Sequence, residues 1–220
     1  MTRVLGVDEA GRGPVIGSMF IGGFVVEESG IDDLEELGVK DSKKLSNKRR
    51  DLMDEELPGI GETFLKEVTA STIDELREVM TLNDIEVQAF AEVIAESGAD
   101  KVIVDLPEPD ADRFIRKLRK ELPPRFEDVK FVAEHGADED YPVVSAASIV
   151  AKSARERHVE ELKDKYGFDF KSGYPHDEEV TVFLHKYLDE YGELPDETRR
   201  SWSTAQRIVK EHEQGDLNDF

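Results

Sequence analysis

The stretch VLGVDEAGRGP, residues 4–14, limits the fold and the chemistry of this chain more than any other. Its apolar start predicts a short buried strand. The carboxylates of Asp8 and Glu9 end this strand, and a glycine-rich turn follows at once. Successive strand side chains point to opposite faces, so both carboxylates can serve one site only where the strand ends or bends. A solvated turn after an edge strand is the alternative for this pair taken alone.

The turn itself predicts a place where phosphate can bind. Arg12 lies between Gly11 and Gly13, and its guanidinium is a forked donor that matches phosphate. The glycines permit a sharp bend and let a bulky ligand approach the backbone closely. The sequence therefore places two carboxylates that could bind a metal ion next to an arginine that could bind a phosphate.

Composition excludes several classes of protein. The 220 residues suit one domain, or one domain with a small appendage. The chain contains no cysteine, which excludes disulfides, thiolate metal sites and a cysteine nucleophile. No apolar run is long enough to cross a membrane, and the first residues predict a strand rather than a secretory leader. We expect a cytoplasmic protein that does not contact a membrane.

The charge balance is extreme, with 29 basic against 51 acidic residues and a formal net charge of −22. Such an excess repels nucleic acid at low salt. At molar salt the Debye length falls to about 3 Å, so distant repulsion is screened while metal bridges and close ion pairs persist. We therefore expect a protein from the salt-rich cytoplasm of a halophile. An ordinary acidic mesophilic protein is the alternative.

One dense basic cluster stands out against this acidic background, within residues 38–50. Ser46 is a plausible N-cap for a helix over residues 47–57. A phosphate could meet both the basic side chains and the N-terminus of that helix, although a solvated basic helix start remains the alternative. The cluster consists of Lys40, Lys43, Lys44, Lys48, Arg49 and Arg50.

The order of apolar and amphipathic segments predicts an α/β fold. A strand over residues 101–105 ends in Asp105, between helices predicted over residues 86–97 and 111–122. Asn83 to Glu86 resembles a capping box at the start of the first of these helices. The carboxyl ends of strands commonly host the site in such folds; a role of Asp105 as a loop cap is the alternative. Further strands are predicted over residues 18–26, 64–68 and 129–133.

A metal site would draw together four acidic residues, namely Asp8, Glu9, Asp105 and Asp138. Four hard oxygen donors without a cysteine suit Mg²⁺ or Mn²⁺ far better than zinc. His135 and His158 are also possible ligands, but such residues are more often ordinary surface or core histidines. A long helix is predicted after Pro142, and its small, apolar start suits close packing beneath a sheet.

The C-terminal part predicts two helices and a tail. The helices cover residues 177–191 and 196–213, and Tyr174 lies in the turn before them. This tyrosine could stack on a sugar or a base, or pack in the interior. The tail offers three anchors whose spacing suits a hydrophobic groove on a partner, with disorder as the alternative. These anchors are Gln214, Leu217 and Phe220.

These patterns together resemble ribonuclease HII, and most closely its archaeal type. The resemblance runs in order through GVDEAGRGPVIG, GVKDSKKLS, VIVD, AEHGADEDYPVVSAASIVAK, SGYP and RRSWST. It implies a ribonuclease H-like mixed sheet flanked by helices, with a C-terminal helical appendage. We expect a catalytic domain over residues 1–176, a helical segment over 177–213 and a flexible tail over 214–220.

The resemblance also implies a role for each candidate residue. The four carboxylates would bind two metal ions and carry out catalysis. The turn of residues 11–13 would grip the ribonucleotide and sense its 2′-hydroxyl, Tyr174 would stack on the following sugar, and Lys43 and Lys44 would touch phosphates. The tail resembles a sliding-clamp-binding box with one aromatic residue rather than two. One departure is HGAD where the family often has HKAD, so Gly136 replaces a lysine.

The implied activity is cleavage of the RNA strand of RNA–DNA hybrids, including single ribonucleotides in duplex DNA. Two metal ions would act on the scissile phosphate and leave 3′-hydroxyl and 5′-phosphate ends. We expect a monomer. Two other classes stay open at this point: a metal-dependent phosphohydrolase that acts on a small phosphate ester, and a non-catalytic module that binds nucleic acid and the clamp.

Overall fold

A five-stranded sheet organises the fold. The computed structural model describes residues 2–40 and 46–218, and for residues 215–218 it describes the backbone alone. The strands of the sheet are β1 (Arg3–Ala10), β2 (Met19–Glu27), β3 (Glu62–Val68), β4 (Lys101–Asp105) and β5 (Lys130–Glu134). Their order across the sheet is β3-β2-β1-β4-β5. All five agree with the strands that the apolar runs predict.

The pairing of the central strands determines where the acidic residues lie. Strand β1 is antiparallel to β2 and parallel to β4, and β4 is parallel to β5. The register sets Val7 beside Val104 and Asp105 beside Glu134. The carboxyl ends of β1, β4 and β5 therefore lie along the same edge, which is the edge at which Asp8 and Asp105 stand.

Helices lie between and after these strands along the chain, and six of those in the described residues follow the order that the sequence predicts. The three shortest are not among the predicted helices. Helix α2 (Asn47–Glu56) is capped by Ser46, whose side chain accepts a hydrogen bond from the backbone N–H of Arg49. Its extent agrees with the predicted helix. The helices of the described residues are α1 (Ile31–Leu37), α2 (Asn47–Glu56), α3 (Ala70–Arg77), α4 (Leu82–Ser97), α5 (Ala111–Glu121), α6 (Ala137–Asp140), α7 (Pro142–Tyr166), α8 (Glu178–Tyr191) and α9 (Ser203–Asn218).

The predicted start of α4 is wrong. Thr81, not Asn83, is the N-cap: the Thr81 side chain accepts from the Asp84 backbone, and the Asp84 carboxylate accepts from the Thr81 backbone. A Thr-x-x-Asp pair thus completes the capping box two residues earlier than expected. The side-chain amide of Asn83 instead donates to Glu108 at 3.1 Å.

The predicted start of α9 is also wrong, by seven residues. The helix begins at Ser203 rather than at residue 196. Before it, Thr198 forms a β-bridge with Ile16, and the backbone N–H of Arg199 donates to Val15 at 2.8 Å. The carbonyl of Glu197 also accepts from the N–H of Gly17 at 2.8 Å. The backbone groups of residues 197 and 199 are therefore used in long-range pairing, and the helix starts only after it.

The chain divides into two compact units. The first comprises residues 1–10, 20–67 and 81–156, and the second comprises residues 11–19, 68–80 and 157–220. One hydrophobic core of the first unit includes residues of β1, β2 and the first half of α7, and a core of the second unit includes Phe170, Phe183 and Ile208. The expected boundary between residues 176 and 177 stays a prediction.

In the first unit, α7 packs very close to the sheet. A Cβ atom on Gly6 would lie 2.2 Å from the carbonyl oxygen of Val143, and one on Gly22 would lie 2.3 Å from that of Ala147. Only glycine permits such an approach of strand to helix. The residues at the start of α7 that face the sheet have small side chains and are fully buried, as the sequence predicts. No helix in the described ranges has the length and apolarity that a membrane span requires.

Candidate active site

Three buried or half-buried aspartates come together at one edge of the sheet. Asp8, Asp105 and Asp138 each offer a carboxylate oxygen, and these oxygens lie within 4.8 Å of one another. Asp8 lies near the end of β1, Asp105 ends β4, and Asp138 lies in α6, directly after β5. The sequence predicts this meeting from the positions of acidic residues at or just beyond the ends of strands.

Backbone hydrogen bonds fix the orientation of Asp105. Its Oδ1 atom accepts from the N–H of Gly136 at 2.8 Å and from that of Ala137 at 3.1 Å. These are N–H groups at the start of α6, the helix that also carries Asp138. The Asp105 carboxylate thus caps the N-terminus of α6 and is held close to Asp138 in that helix.

Gly136 adopts the left-handed conformation, with φ of +70°. An added Cβ atom would meet nothing within 4 Å, so the position has room for a side chain but strains its backbone. The glycine that replaces the lysine of the HKAD pattern therefore removes strain at the turn between β5 and α6. The acidic cluster forms without a lysine at this position.

Glu9 lies outside the group of three among the described residues. It is half-buried, and burial raises the pKa of its carboxyl well above the ordinary value, with the carboxylates of Asp8, Glu86 and Asp105 adding to the shift. Glu9 is therefore near enough to sense the cluster. Its expected part in metal binding stays a prediction.

The electrostatics of the cluster fit a divalent cation. Burial raises the pKa of Asp8 to about 6; Lys152 and a hydrogen bond with Ser148 oppose this, and Asp105 adds to it. Carboxylates held this close repel one another unless a cation lies among them. Oxygen ligands bind Mg²⁺ and Ca²⁺ at about 2.0–2.6 Å, so ligands of one ion are at most about 5 Å apart. The separations in the cluster match this limit.

The two histidines that the sequence leaves open are engaged with the backbone. The Nδ1 atom of His135 lies 3.0 Å from the carbonyl oxygen of Leu106. The Nε2 atom of His158 accepts from the N–H of Ser18 at 3.2 Å. Neither belongs to the acidic group among the described residues. The oxygen donors alone define the candidate metal centre.

Lys152 is a site residue that the sequence reasoning does not single out. Its Nζ atom lies 4.0 Å from Oδ2 of Asp8 and 3.8 Å from Oδ2 of Asp138. It also donates to Oγ of Ser148 at 2.6 Å, one helical turn earlier in α7. The sequence feature that could have indicated this role is a Ser-x-x-x-Lys pair, one helical turn apart, at the end of the small, apolar part of α7.

In the second unit, Arg199 holds the glycine-rich turn. Its fully buried guanidinium donates to the carbonyl oxygens of Gly11, Arg12 and Gly17 at 2.6, 2.8 and 2.9 Å. The indole N–H of Trp202 donates to Gly13 at 3.2 Å. The carbonyls of all three residues of the turn are thus bound by side chains, and the sequence reasoning gives no role to Arg199.

Tyr174 lies against the same turn, also within the second unit. A Cβ atom on Gly13 would be 3.0 Å from Cε1 of Tyr174. The backbone N–H of Val15 donates to the carbonyl of Gly173 at 2.8 Å, which joins the two loops. Tyr174 is half-buried. The structure therefore brings together Gly11, Arg12, Gly13 and Tyr174, which the sequence predicts as substrate-binding residues.

Several predicted residues lie at or beyond the limits of the described structure. Lys43, Lys44 and Phe220 lie outside the described residues. For Leu217 the backbone is described, and helix α9 runs through it to Asn218. In the basic cluster of residues 38–50, Arg50 is buried and forms an ion pair with Glu156. This member of the cluster is therefore not a solvated cation.

Comparison with solved structures defines the class of protein. The ribonuclease H2 of Pyrococcus horikoshii superposes with a TM-score of 0.90 at 38% identity, over 97% of this chain and 100% of that one. The ribonuclease HII of Archaeoglobus fulgidus, solved in complex with PCNA, gives 0.83 at 38% identity, over 93% and 96%. The predicted ribonuclease H-like fold is confirmed, and with the acidic cluster it defines a nuclease of this class.

Comparison of sequences gives the family. The family model of ribonuclease HII matches residues 5–205. The ribonuclease HII of Methanothrix thermoacetophila is 46% identical over 209 residues, which span 94% of this chain and 98% of that protein. The chain belongs to the ribonuclease HII family. It is a metal-dependent endoribonuclease that acts on the RNA strand of RNA–DNA hybrids.

Proposed function

We propose that this endoribonuclease also cuts at a single ribonucleotide embedded in duplex DNA. The reaction hydrolyses one phosphodiester bond and leaves 3′-hydroxyl and 5′-phosphate ends. The observation that carries the proposal is the convergence of Asp8, Asp105 and Asp138, whose carboxylate oxygens lie within 4.8 Å of one another, in a chain of this family.

The four acidic residues, Asp8, Glu9, Asp105 and Asp138, hold two divalent ions, Mg²⁺ or Mn²⁺. When bound, such ions activate a water molecule and stabilise the charge of the leaving oxygen. The protein positions its carboxylates beforehand: the N–H groups of Gly136 and Ala137 orient Asp105. Burial of Asp8 keeps bulk water away from its carboxylate.

The turn of residues 11–13 recognises the ribonucleotide. Side chains already donate to each of its three carbonyl oxygens, so we assign substrate recognition to the N–H donors of the turn. Such donors suit the oxygen of a 2′-hydroxyl, the group that distinguishes RNA from DNA. Tyr174 packs beside Gly13, and we assign to it the stacking contact with the following sugar. The Arg12 guanidinium supplies a donor for phosphate.

Lys43 and Lys44 contact phosphates of the substrate. The support for this role comes from the sequence: the two lysines precede the helix α2, whose N-terminus lies at residue 47. Cations and a helix N-terminus together attract phosphate. Against the net charge of −22, such a local basic segment supplies attraction where the surface as a whole repels.

The C-terminal residues Gln214, Leu217 and Phe220 bind a sliding clamp. The solved complex of a relative with PCNA supports this assignment. The backbone of α9 is helical as far as Asn218, which places Gln214 and Leu217 close to one turn apart. A short helical turn with apolar anchors is a recurring way to fill a hydrophobic groove.

We assign the enzyme, as a monomer, to the salt-rich cytoplasm of a halophile. The support is the net charge of −22 together with a substrate that is itself an anion. Binding of two polyanions depends on screening, which strengthens as salt rises. Cleavage by this enzyme should therefore persist at molar salt, where a basic nuclease that relies on long-range attraction loses affinity.

Cleavage assays with matched substrates test the proposal. The full-length protein is given Mn²⁺ and four substrates: a DNA duplex that contains one ribonucleotide, an RNA–DNA hybrid, an all-DNA duplex of the same sequence, and a small phosphate ester. We expect one cut at the embedded ribonucleotide and cleavage of the RNA strand of the hybrid, with the all-DNA duplex and the ester left intact. Cleavage of the hybrid without a cut at the single ribonucleotide would overturn the proposal. Hydrolysis of the ester without cleavage of the hybrid would favour a phosphohydrolase, and binding of the hybrid without turnover would favour a non-catalytic module.

A further inference from the structure

Lys152 places a positive charge at the candidate metal centre. Its ammonium group lies 4.0 Å from the carboxylate of Asp8 and 3.8 Å from that of Asp138. These separations are those of ion pairs, and both are longer than a direct hydrogen bond. A hydrogen bond to the Ser148 hydroxyl, at 2.6 Å, holds the ammonium group at this position.

The backbone of Lys152 is fixed while its side chain can move. Helix α7 approaches the sheet so closely that a Cβ atom on Gly22 would lie 2.3 Å from Ala147 and 2.8 Å from the backbone nitrogen of Ala151. About a third of the Lys152 side chain, 32%, is exposed. A lysine with a fixed Cα atom, a long aliphatic stem and a partly exposed end can swing its charge away without disturbing the helix.

The ammonium group and a divalent ion are both attracted to these carboxylates. Without an added cation, three neighbouring carboxylates repel one another, and Lys152 offsets part of that repulsion. A divalent ion at the same oxygens would lie close to the ammonium group and repel it, because like charges a few ångströms apart interact strongly in a poorly solvated site. Both charges therefore cannot occupy this position together.

We propose that Lys152 is the internal counter-ion of the acidic cluster and competes with the divalent ions for it. The inference rests on the proposed metal site and adds a property of this chain to it. In the metal-free protein Lys152 stabilises the fold by pairing with Asp8 and Asp138. When metal binds, the side chain leaves both carboxylates. The affinity for metal is then lower than the carboxylates alone would give.

Metal binding without nucleic acid tests the inference. Mn²⁺ is titrated by calorimetry into the full-length wild type and into Lys152→Met, Lys152→Arg and Lys163→Met. Lys163 is the matched control, since it lies on the same helix and pairs instead with Glu160 and Asp169. We expect Lys152→Met to bind Mn²⁺ about ten-fold more tightly, and Lys152→Arg and Lys163→Met to bind like the wild type.

Thermal unfolding gives a second measurement that does not depend on activity. Lys152→Met should unfold at a lower temperature than the wild type without metal, and should gain more than the wild type from added Mn²⁺. Equal or weaker Mn²⁺ binding by Lys152→Met overturns the competition. An equal gain in Lys163→Met also overturns it, because net charge would then be the cause. A wild type that binds no Mn²⁺ overturns the metal site itself.

Discussion

The Nη2 atom of Arg199 donates a hydrogen bond to the carbonyl oxygen of Gly11 at 2.6 Å, across 188 positions of the chain. Two further bonds from the same guanidinium reach Arg12 and Gly17. A fully buried cation thus takes two of its three partners from the turn of residues 11–13, which is expected to recognise the ribonucleotide. The shape of that turn depends on a residue far from it in sequence.

Replacement of Arg199 tests this dependence. Arg199→Lys keeps the charge but loses the planar fork of donors, so carbonyls of the turn are left without partners. We expect the free energy of unfolding to fall by about 3 kcal/mol, and kcat/KM on an RNA–DNA hybrid to fall with it. Urea denaturation and steady-state kinetics measure the two effects.

The neighbouring Arg200→Lys is the control for this variant. Arg200 is exposed, and its guanidinium reaches only the carbonyl of Leu194, at 3.2 Å, among the bonds resolved for that side chain. We expect Arg200→Lys to change neither stability nor kinetics appreciably. Wild-type stability in Arg199→Lys would show that the buried fork contributes little to the turn.

Small substitutions within the turn should impair cleavage and leave the fold intact. Gly11 has φ of +79°, which strains any other residue. A methyl group on Gly13 would lie 3.0 Å from the ring of Tyr174 and displace it. We expect Gly11→Ala and Gly13→Ala each to cut an RNA–DNA hybrid at least about ten-fold more slowly, since misplacement of a substrate by about 1 Å is costly.

Gly167→Ala serves as the control for backbone strain. Gly167 has φ of +61°, and an added Cβ atom there meets nothing within 4 Å. It should lose stability like Gly11→Ala while its cleavage rate stays at the wild-type level. If both variants of the turn cut at the wild-type rate, its assignment to ribonucleotide recognition is wrong.

Loss of one carboxylate should abolish the metal site. Asp138→Asn keeps the shape of a buried side chain and removes its charge. We expect cleavage to fall by about a hundred-fold or more, and Mn²⁺ binding to weaken in calorimetry. Because repulsion within the cluster is relieved, the metal-free variant should unfold at a higher temperature than the wild type.

Asp140→Asn is the matched control, since Asp140 lies in the same short helix and is exposed. It should cleave and bind Mn²⁺ like the wild type. Full activity in Asp138→Asn would remove Asp138 from the metal site. Equal losses in both variants would instead point to damage of α6.

Deletion of residues 214–220 should separate clamp binding from cleavage. The acidic cluster lies in a unit that ends at residue 156, and the deleted residues belong to the other unit. We expect affinity for a sliding clamp to disappear in surface plasmon resonance, while the cleavage rate without clamp stays within about two-fold. Unchanged clamp affinity in the truncated enzyme would contradict the assignment of Gln214, Leu217 and Phe220.

Local patterns in the sequence predict much of the fold and of the acidic cluster. Apolar runs give all five strands, and an acidic residue near the end of β1 and of β4 predicts that Asp8 and Asp105 meet. Those signals are local: a short apolar run and an acidic residue at its end. Ser46 as the N-cap of α2 is confirmed for the same reason.

The missed features depend on contacts that are distant in sequence. Residues 196–202 read as the start of α9, but the pairing of Thr198 with Ile16 keeps them out of the helix. The role of Arg199 depends on the same pairing. Lys152 reads as one more surface lysine of a long helix, and only the close packing of α7 on Gly6 and Gly22 brings it to the carboxylates.

The most direct test of the account is cleavage of a DNA duplex that contains one ribonucleotide, with Mg²⁺ or Mn²⁺ and over a range of salt up to molar concentrations. The all-DNA duplex of the same sequence and the Asp138→Asn variant are the controls. We predict one nick at the ribonucleotide, with 3′-hydroxyl and 5′-phosphate ends, that persists at high salt. An intact duplex under all these conditions, with a folded and metal-loaded enzyme, would contradict the account.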